Sequence, residues 1–122
     1  RKKILIADDE KDLREALFTV LAAEGYEVLT AENGKVALDI ALAEHPDLIL
    51  LDLNMPKLSG NEVLEALSTD EWGKYAKVIV LTALDDMDTL SKTMETGGLD
   101  YLVKSDWKLE DIVRKVKEKL AA

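Results

Sequence analysis

Carboxylate side chains follow two short apolar runs of the chain. Residues 48–51 are all leucine or isoleucine and stop at Asp52, and the apolar run within residues 3–7 stops at Asp8 and Asp9. Such a run is too short for a lone helix and is typical of a strand buried on both faces of a parallel sheet. The carboxyl ends of parallel strands lie along one edge of the sheet, so we expect these three carboxylates to meet there.

Two further apolar runs end in residues that suit the same chemistry. Residues 77–82 end at Thr82, and residues 99–103 are followed by Lys104. Three adjacent carboxylates raise one another's pKa unless a cation compensates them, and oxygen ligands with open positions suit Mg²⁺. Lys104 adds a point charge for a phosphoryl group, and Thr82 adds a hydroxyl donor. Together these groups indicate phosphoryl transfer to a carboxylate nucleophile.

Each of these residues also has an ordinary explanation. Asp52 could be the first polar residue of a loop, Lys104 a solvated lysine at a strand end, and Thr82 a β-branched strand residue. It is improbable that suitable residues would stand at four separate strand ends by chance. The functional interpretation therefore depends on the combination and not on any single side chain.

The elements that must position these residues alternate regularly along the chain. Strands are predicted over residues 3–7, 26–30, 48–51, 77–82 and 99–103, and each is followed by a segment with a helical apolar stripe. The five helices are predicted around residues 13–21, 34–45, 60–68, 85–95 and 109–120. Five strand–helix repeats predict an α/β fold with a parallel sheet, right-handed crossovers and helices on both faces. One domain over residues 1–122 is expected.

Several residues predict how individual helices begin, pack and end. Asp12 and Glu15 have the spacing of a capping box at the start of the first helix, and Gly25 supplies its C-terminal stop. Val36 is predicted to lie on the buried stripe of the second helix. The helix over residues 85–95 has the sparsest apolar stripe, which favours mobility in that part of the fold.

Composition excludes several classes of function. The 122 residues contain 16 Lys and Arg against 25 Asp and Glu, and this net charge of −9 argues against non-specific binding of nucleic acid or of an anionic membrane surface. The absence of cysteine excludes disulfides, thiol catalysis and cysteine-ligated zinc. Neither a signal peptide nor a membrane span is recognisable, so a cytoplasmic location is expected.

Along its whole length the chain resembles the response-regulator receiver domains of two-component signalling. The resemblance implies a flavodoxin-like, doubly wound sheet of five parallel strands in the order 2-1-3-4-5 with five helices. It is carried by Asp8-Asp9, by Asp52-Leu53-Asn54-Met55-Pro56 with Gly60, by Thr82-Ala83, and by Tyr101-Leu102-Val103-Lys104.

The resemblance implies a role for each acidic residue. Asp52 would be the phosphoryl acceptor and would share Mg²⁺ with Asp9, while Asp8 would act on the ion directly or through water. Asn54 would offer its backbone carbonyl to the metal, and its side chain would face the incoming phosphoryl group. Mg²⁺ is therefore the expected cofactor.

The remaining motif residues would contact or sense the phosphoryl group. The resemblance implies that Lys104 pairs with its oxygens, and that Thr82 turns toward it together with the backbone amide of Ala83. Tyr101 would be the switch aromatic that moves inward as Thr82 moves; an ordinary amphipathic strand residue is the alternative. The predicted helix over residues 85–95, the fifth strand and the last helix would form the output face.

The function implied is a phosphorylation switch and not a conventional enzyme. A sensor histidine kinase or a histidine phosphotransfer protein would donate the phosphoryl group, and phosphorylation could drive homodimerisation.

One residue departs from the family pattern: Ser105 stands where a proline in a cis peptide usually follows the lysine, and a trans bond is expected here. The main alternative is therefore an interaction module of the same fold that works without phosphorylation.

Two other readings of the acidic residues fit the sequence less well. A phosphatase with an aspartyl nucleophile would need a second acid at Asn54, and an amide cannot act as a general acid. A flavin or nucleotide binder would need a glycine-rich or hydroxyl-rich phosphate loop where Asp8-Asp9-Glu10 stands. The single histidine, His45, is interpreted as a residue at a helix end.

Overall fold

The structure, a computed structural model, describes residues 1–82, 100–103 and 108–121. These residues form five strands, four α-helices and one short 3₁₀ helix over Gly73–Tyr75. The strands are β1 (Lys3–Ala7), β2 (Glu27–Ala31), β3 (Leu48–Asp52), β4 (Val78–Thr82) and β5 (Asp100–Val103). The helices are α1 (Lys11–Ala23), α2 (Gly34–Glu44), α3 (Gly60–Ser68) and the C-terminal helix (Leu109–Ala121).

The five strands form one sheet in the order β2-β1-β3-β4-β5, and every neighbouring pair is parallel. The predicted parallel sheet and its order are thereby confirmed. β3 lies at the centre, and all five of its residues are buried. A strand covered on both faces must be apolar throughout, which explains why residues 48–51 contain no polar side chain.

The two faces of the sheet carry separate apolar cores. Ile49 and Leu51 of β3 contribute to the core under α2 and α3, whereas Leu48 and Leu50 contribute to the core under α1 and the C-terminal helix. Alternate side chains of a strand point to opposite faces, so one apolar run supplies both cores. The helices contribute Ala37, Ala41, Val63 and Leu67 on the first face and Leu17, Leu21, Ile112 and Val116 on the second.

The predicted capping box at Asp12 and Glu15 is wrong. Helix α1 begins at Lys11, and its N-cap residue Glu10 makes no side-chain capping bond. The Glu10 amide donates to Asp8 Oδ1 at 2.9 Å, which closes a turn directly before the helix. Asp12 therefore lies inside the first helical turn. In the described part of the chain, a capping box forms instead between Ser59 and Glu62 of α3.

The second strand and the second helix also depart in detail from the predictions. β2 begins one residue later than predicted, because the Glu27 amide pairs with the Lys2 carbonyl at 2.9 Å and Ala31 pairs with Ala7 of β1. Val36 of α2 is 37% exposed and was wrongly assigned to the buried stripe. The buried face of α2 consists of Gly34, Ala37 and Ala41, and Val36 lies outside it.

The remaining predicted elements agree with the structure or lie outside it. Gly25 has a φ of +94° just after α1, as a helix stop requires. The helix predicted over residues 85–95 lies outside the described residues. Among the residues that the structure describes, no helix is long and apolar enough to cross a membrane.

Candidate functional site

Three carboxylates meet at the carboxyl edge of the sheet. One oxygen from each of Asp8, Asp9 and Asp52 lies within 4.8 Å of the others. Asp8 follows β1 and Asp52 ends β3, and these strands are neighbours in the sheet. Asp8 and Asp52 are 0% and 3% exposed, whereas Asp9 is open to solvent. The three predicted acidic residues therefore lie together as expected.

The backbone around Asp8 is fixed by its neighbours. Its amide donates to the Ala31 carbonyl at 3.1 Å, which ties the end of β1 to the end of β2. Its Oδ1 accepts the Glu10 amide at 2.9 Å, and its carbonyl oxygen accepts Arg14 Nη1 at 2.8 Å. These bonds hold the start of the loop between β1 and α1 in one conformation.

Asp52 is oriented by the loop that follows it. The Asn54 amide donates to Asp52 Oδ1 at 3.2 Å. Leu53 and Met55 are buried while Asn54 is exposed, so the bend after β3 leaves the Asn54 side chain in solvent. Asn54 therefore stands beside the acidic cluster with its side chain accessible.

Two glycines let this loop pack against helix starts. A Cβ atom on Gly60 would lie 2.3 Å from the Asp52 carbonyl oxygen, and one on Gly34 would lie 1.8 Å from the Leu58 carbonyl oxygen. Within the loop, Lys57 has a φ of 68°, and the Leu58 amide donates back to the Pro56 carbonyl at 2.8 Å. The bond spans two residues and the central φ is positive, which is a strained γ-turn for a residue other than glycine.

The other predicted site residues are described only in part. Thr82 is the last residue of β4, next to the strand that carries Asp52, and pairs with Val103 of β5. Its side chain lies outside the described part, as do Ala83, Lys104 and Ser105. Tyr101 of β5 is 42% exposed.

The acidic cluster suits a hard cation. All of its side-chain donors are carboxylate oxygens, and the exposed Asp9 leaves the cluster open to water and to other oxygen ligands. Mg²⁺ and Ca²⁺ take such donors, whereas zinc and copper favour nitrogen and sulfur.

The single histidine follows α2 with a φ of 47°, and its ring stacks on Trp72 at 4.5 Å. His45 is thus confirmed as a residue at a helix end.

Sequence reasoning missed Arg14, Gly34 and Lys57 as parts of this edge. Arg14 gave no signal, because its partner is a backbone carbonyl and any residue could supply one. Gly34 was assigned only to the start of the second helix, although its main constraint is the approach of Leu58. The positive φ of Lys57 is imposed by the loop, and lysine does not indicate it.

Relatives of known description share this sequence over most of its length. A probable transcriptional regulator, ycf27 of Porphyridium aerugineum, is 42% identical over 118 residues, which cover 95% of this chain and 48% of that protein. The sporulation initiation phosphotransferase F of Bacillus subtilis (strain 168) is 38% identical over 103 residues, 84% of this chain and 82% of that protein. The chain thus spans about half the length of the ycf27 regulator.

A solved structure shares the fold. The receiver domain of the sensor histidine kinase PA1611 from Pseudomonas aeruginosa PAO1, with a magnesium ion coordinated in its active site cleft, matches with a TM-score of 0.88 and 25% identity. The match covers 99% of this chain and 98% of that domain. The family model for the response regulator receiver domain matches residues 4–117. Sheet order, acidic edge and sequence therefore agree, and the chain belongs to the response regulator receiver domain family.

Proposed function

We propose that Asp52 accepts a phosphoryl group from the phosphohistidine of a sensor histidine kinase or a histidine phosphotransfer protein. The observation that carries the proposal is the buried Asp52 carboxylate at a sheet edge, with oxygens of Asp8 and Asp9 within 4.8 Å. Burying like charges side by side is costly, and such arrangements are concentrated at functional sites. An acceptor that needs a cation beside it explains why three acids occupy this edge.

The reaction uses Asp52 as the nucleophile. A carboxylate oxygen of Asp52 attacks the phosphorus atom, a P–O bond forms, the P–N bond to the donor imidazole breaks, and the imidazole leaves with that electron pair. The Asn54 amide at 3.2 Å from Oδ1 orients the carboxylate for this attack. Water later hydrolyses the acyl phosphate, so the chain assists its own phosphorylation and dephosphorylation without being a conventional enzyme.

Asp8, Asp9, Asp52 and the backbone carbonyl of Asn54 would hold Mg²⁺. The ion, when bound, neutralises negative charge on the carboxylates and on the phosphoryl oxygens. Two facts support the assignment: the donors are all oxygen, and the related PA1611 receiver domain has magnesium in its active site cleft. In this proposal Asp9, the exposed member of the cluster, contacts the ion directly as the family resemblance implies, and Asp8 acts on it directly or through water.

Lys104, Thr82, Ala83 and Tyr101 complete the proposed switch. Lys104 and the Ala83 amide bind phosphoryl oxygens, and Thr82 turns toward the group while Tyr101 moves inward. The 42% exposure of Tyr101 on the edge strand gives this ring room to move. The new charge thereby changes the surface formed by β5 and the C-terminal helix, where an output partner, or a second copy of the chain, would bind.

The chain is proposed to act in the cytoplasm as one domain of a signalling relay. The transcriptional regulators that it matches are about twice as long, and the phosphotransferase of Bacillus subtilis is of similar length. Both kinds of relative are compatible with the same receiver chemistry. The net charge of −9 supports a protein partner over direct binding of nucleic acid by this domain.

Intact mass after incubation with acetyl phosphate and Mg²⁺ tests the proposal. We expect a gain of one phosphoryl group that EDTA prevents and that Asp52→Ala abolishes. Asp39→Ala, which removes an exposed carboxylate on α2, is the matched control and should leave the gain unchanged. If neither acetyl phosphate nor beryllofluoride modifies the protein, the interaction module without phosphorylation becomes the better function.

A further inference from the structure

We propose that Arg14 is a positioning residue for the cation site, acting through the backbone of Asp8. This inference deepens the proposed function and depends on its metal site. Arg14 lies in the first turns of α1, is half-buried, and donates from Nη1 to the Asp8 carbonyl oxygen at 2.8 Å. It therefore contacts a proposed ligand residue but cannot itself coordinate the cation, since a guanidinium has no free lone pair to offer.

The bond from Arg14 closes a small ring of contacts around the ligand loop. The Arg14 amide donates to the Glu10 carbonyl at 2.9 Å, and the Glu10 amide donates to Asp8 Oδ1 at 2.9 Å. The guanidinium then returns to the Asp8 carbonyl. The loop from Asp8 to Glu10 is thus fastened at both ends to the first turns of α1. Asp9, the exposed member of the acidic cluster, lies inside that ring.

Two effects of Arg14 on a cation would have opposite signs. Its positive charge repels a divalent cation nearby, so removing the charge alone would strengthen binding. Its bond to Asp8 holds the ligands in place, so removing the bond would weaken binding, as loss of outer contacts does at other metal sites. The half-buried bond at 2.8 Å leads us to expect that positioning dominates.

Calorimetric titration of the folded, metal-free protein with Mg²⁺ tests the inference. Arg14→Met replaces the arginine with an unbranched apolar side chain comparable to its aliphatic stem, and it removes both the bond to Asp8 and the charge. We expect Mg²⁺ to bind roughly tenfold more weakly to this variant. Arg14→Lys keeps the charge and one donor group and should recover most of the affinity. Arg114→Met removes an exposed arginine from the C-terminal helix and should leave the affinity unchanged at the same net charge.

The possible results separate this inference from the proposed function. Equal or tighter Mg²⁺ binding by Arg14→Met would overturn the positioning role while leaving the metal site intact. A loss of unfolding free energy in Arg14→Met without a change in Mg²⁺ affinity would show a purely structural role and would overturn it equally. If the unsubstituted protein bound no Mg²⁺, the metal site itself would fail, and the role of Arg14 with it.

Discussion

Aspartate is used in two different ways at two places on this sheet. At the carboxyl edge, Asp8 and Asp52 are almost fully buried, and each accepts a backbone amide while a third carboxylate lies close by. At the contact between β5 and the C-terminal helix, Asp100 is partly exposed and pairs with Lys119 at 3.1 Å and Lys115 at 3.6 Å.

The surroundings of these aspartates distinguish a candidate functional site from a structural contact. Partial burial alone raises the pKa of Asp100, but the hydrogen bond and charge of Lys119, helped by Lys115, lower it below its usual value. There the fold itself supplies the balancing charge. At the acidic edge, three carboxylates of the described residues lie together, an arrangement that favours a cation or a phosphoryl group bound with one. The C-terminal helix is further linked to α1 by an ion pair of Lys117 with Glu24, which raises the pKa of Lys117.

The largest effect is expected where the acidic edge depends on close backbone packing. Gly60→Ala places a Cβ 2.3 Å from the Asp52 carbonyl oxygen, and backbone must move to make room. We expect a loss of about 3 kcal/mol in the free energy of unfolding, at the upper end for overpacking, measured by urea denaturation. Gly25→Ala, with open space but a φ of +94°, should cost only about 1–2 kcal/mol. Similar losses for both substitutions would contradict the packing argument.

Asp52→Asn should change stability in the opposite direction. Two unit charges within 4.8 Å of each other repel by roughly 3–4 kcal/mol or more at an effective dielectric constant of 20. Asparagine can still accept the Asn54 amide. In EDTA, we expect the free energy of unfolding to rise by about 1–3 kcal/mol. Adding Mg²⁺ should stabilise the unsubstituted protein more than the variant. A destabilised Asp52→Asn protein in EDTA would mean that the acidic edge is balanced internally, as Asp100 is.

Asp100→Asn should give the smallest effect and the clearest dependence on pH. The folded-state pKa of Asp100 lies below 3.8, so its ion pairs stabilise the fold above that value and lose their effect as the pH falls through the lower folded-state pKa. We expect a loss of less than about 1 kcal/mol near neutral pH, because the pair is partly exposed. The loss should vanish in acid, as urea denaturation across pH would measure. For comparison, Asp39→Asn on α2 should cost less than Asp100→Asn near neutral pH, since its partner Lys35 is well exposed. A loss at Asp100 that persisted in acid would exclude the ion pairs as its cause.

Much of the architecture followed from local patterns. Apolar runs predicted β1 and β3 to within one residue, because a strand covered on both faces tolerates no polar side chain. The boundaries of β2 and the start of α1 could not be predicted in the same way. They depend on which carbonyl or carboxylate a given amide meets, such as Lys2 for Glu27 and Asp8 for Glu10.

The sequence by itself determined the alternation of strands and helices, the acids at the strand ends, and the family that carries them. Apolar period, charge and motif spacing are local properties, so each can be read from neighbouring residues. The tertiary structure alone decided that Arg14 reaches the carbonyl of Asp8, that Leu58 leaves no room beside Gly34, and that Lys57 adopts a positive φ. The first two depend on a backbone carbonyl outside the helix concerned, and the third on a turn that the loop closes around Lys57. Every residue has such backbone groups, so the sequence of side chains does not indicate which of them will meet.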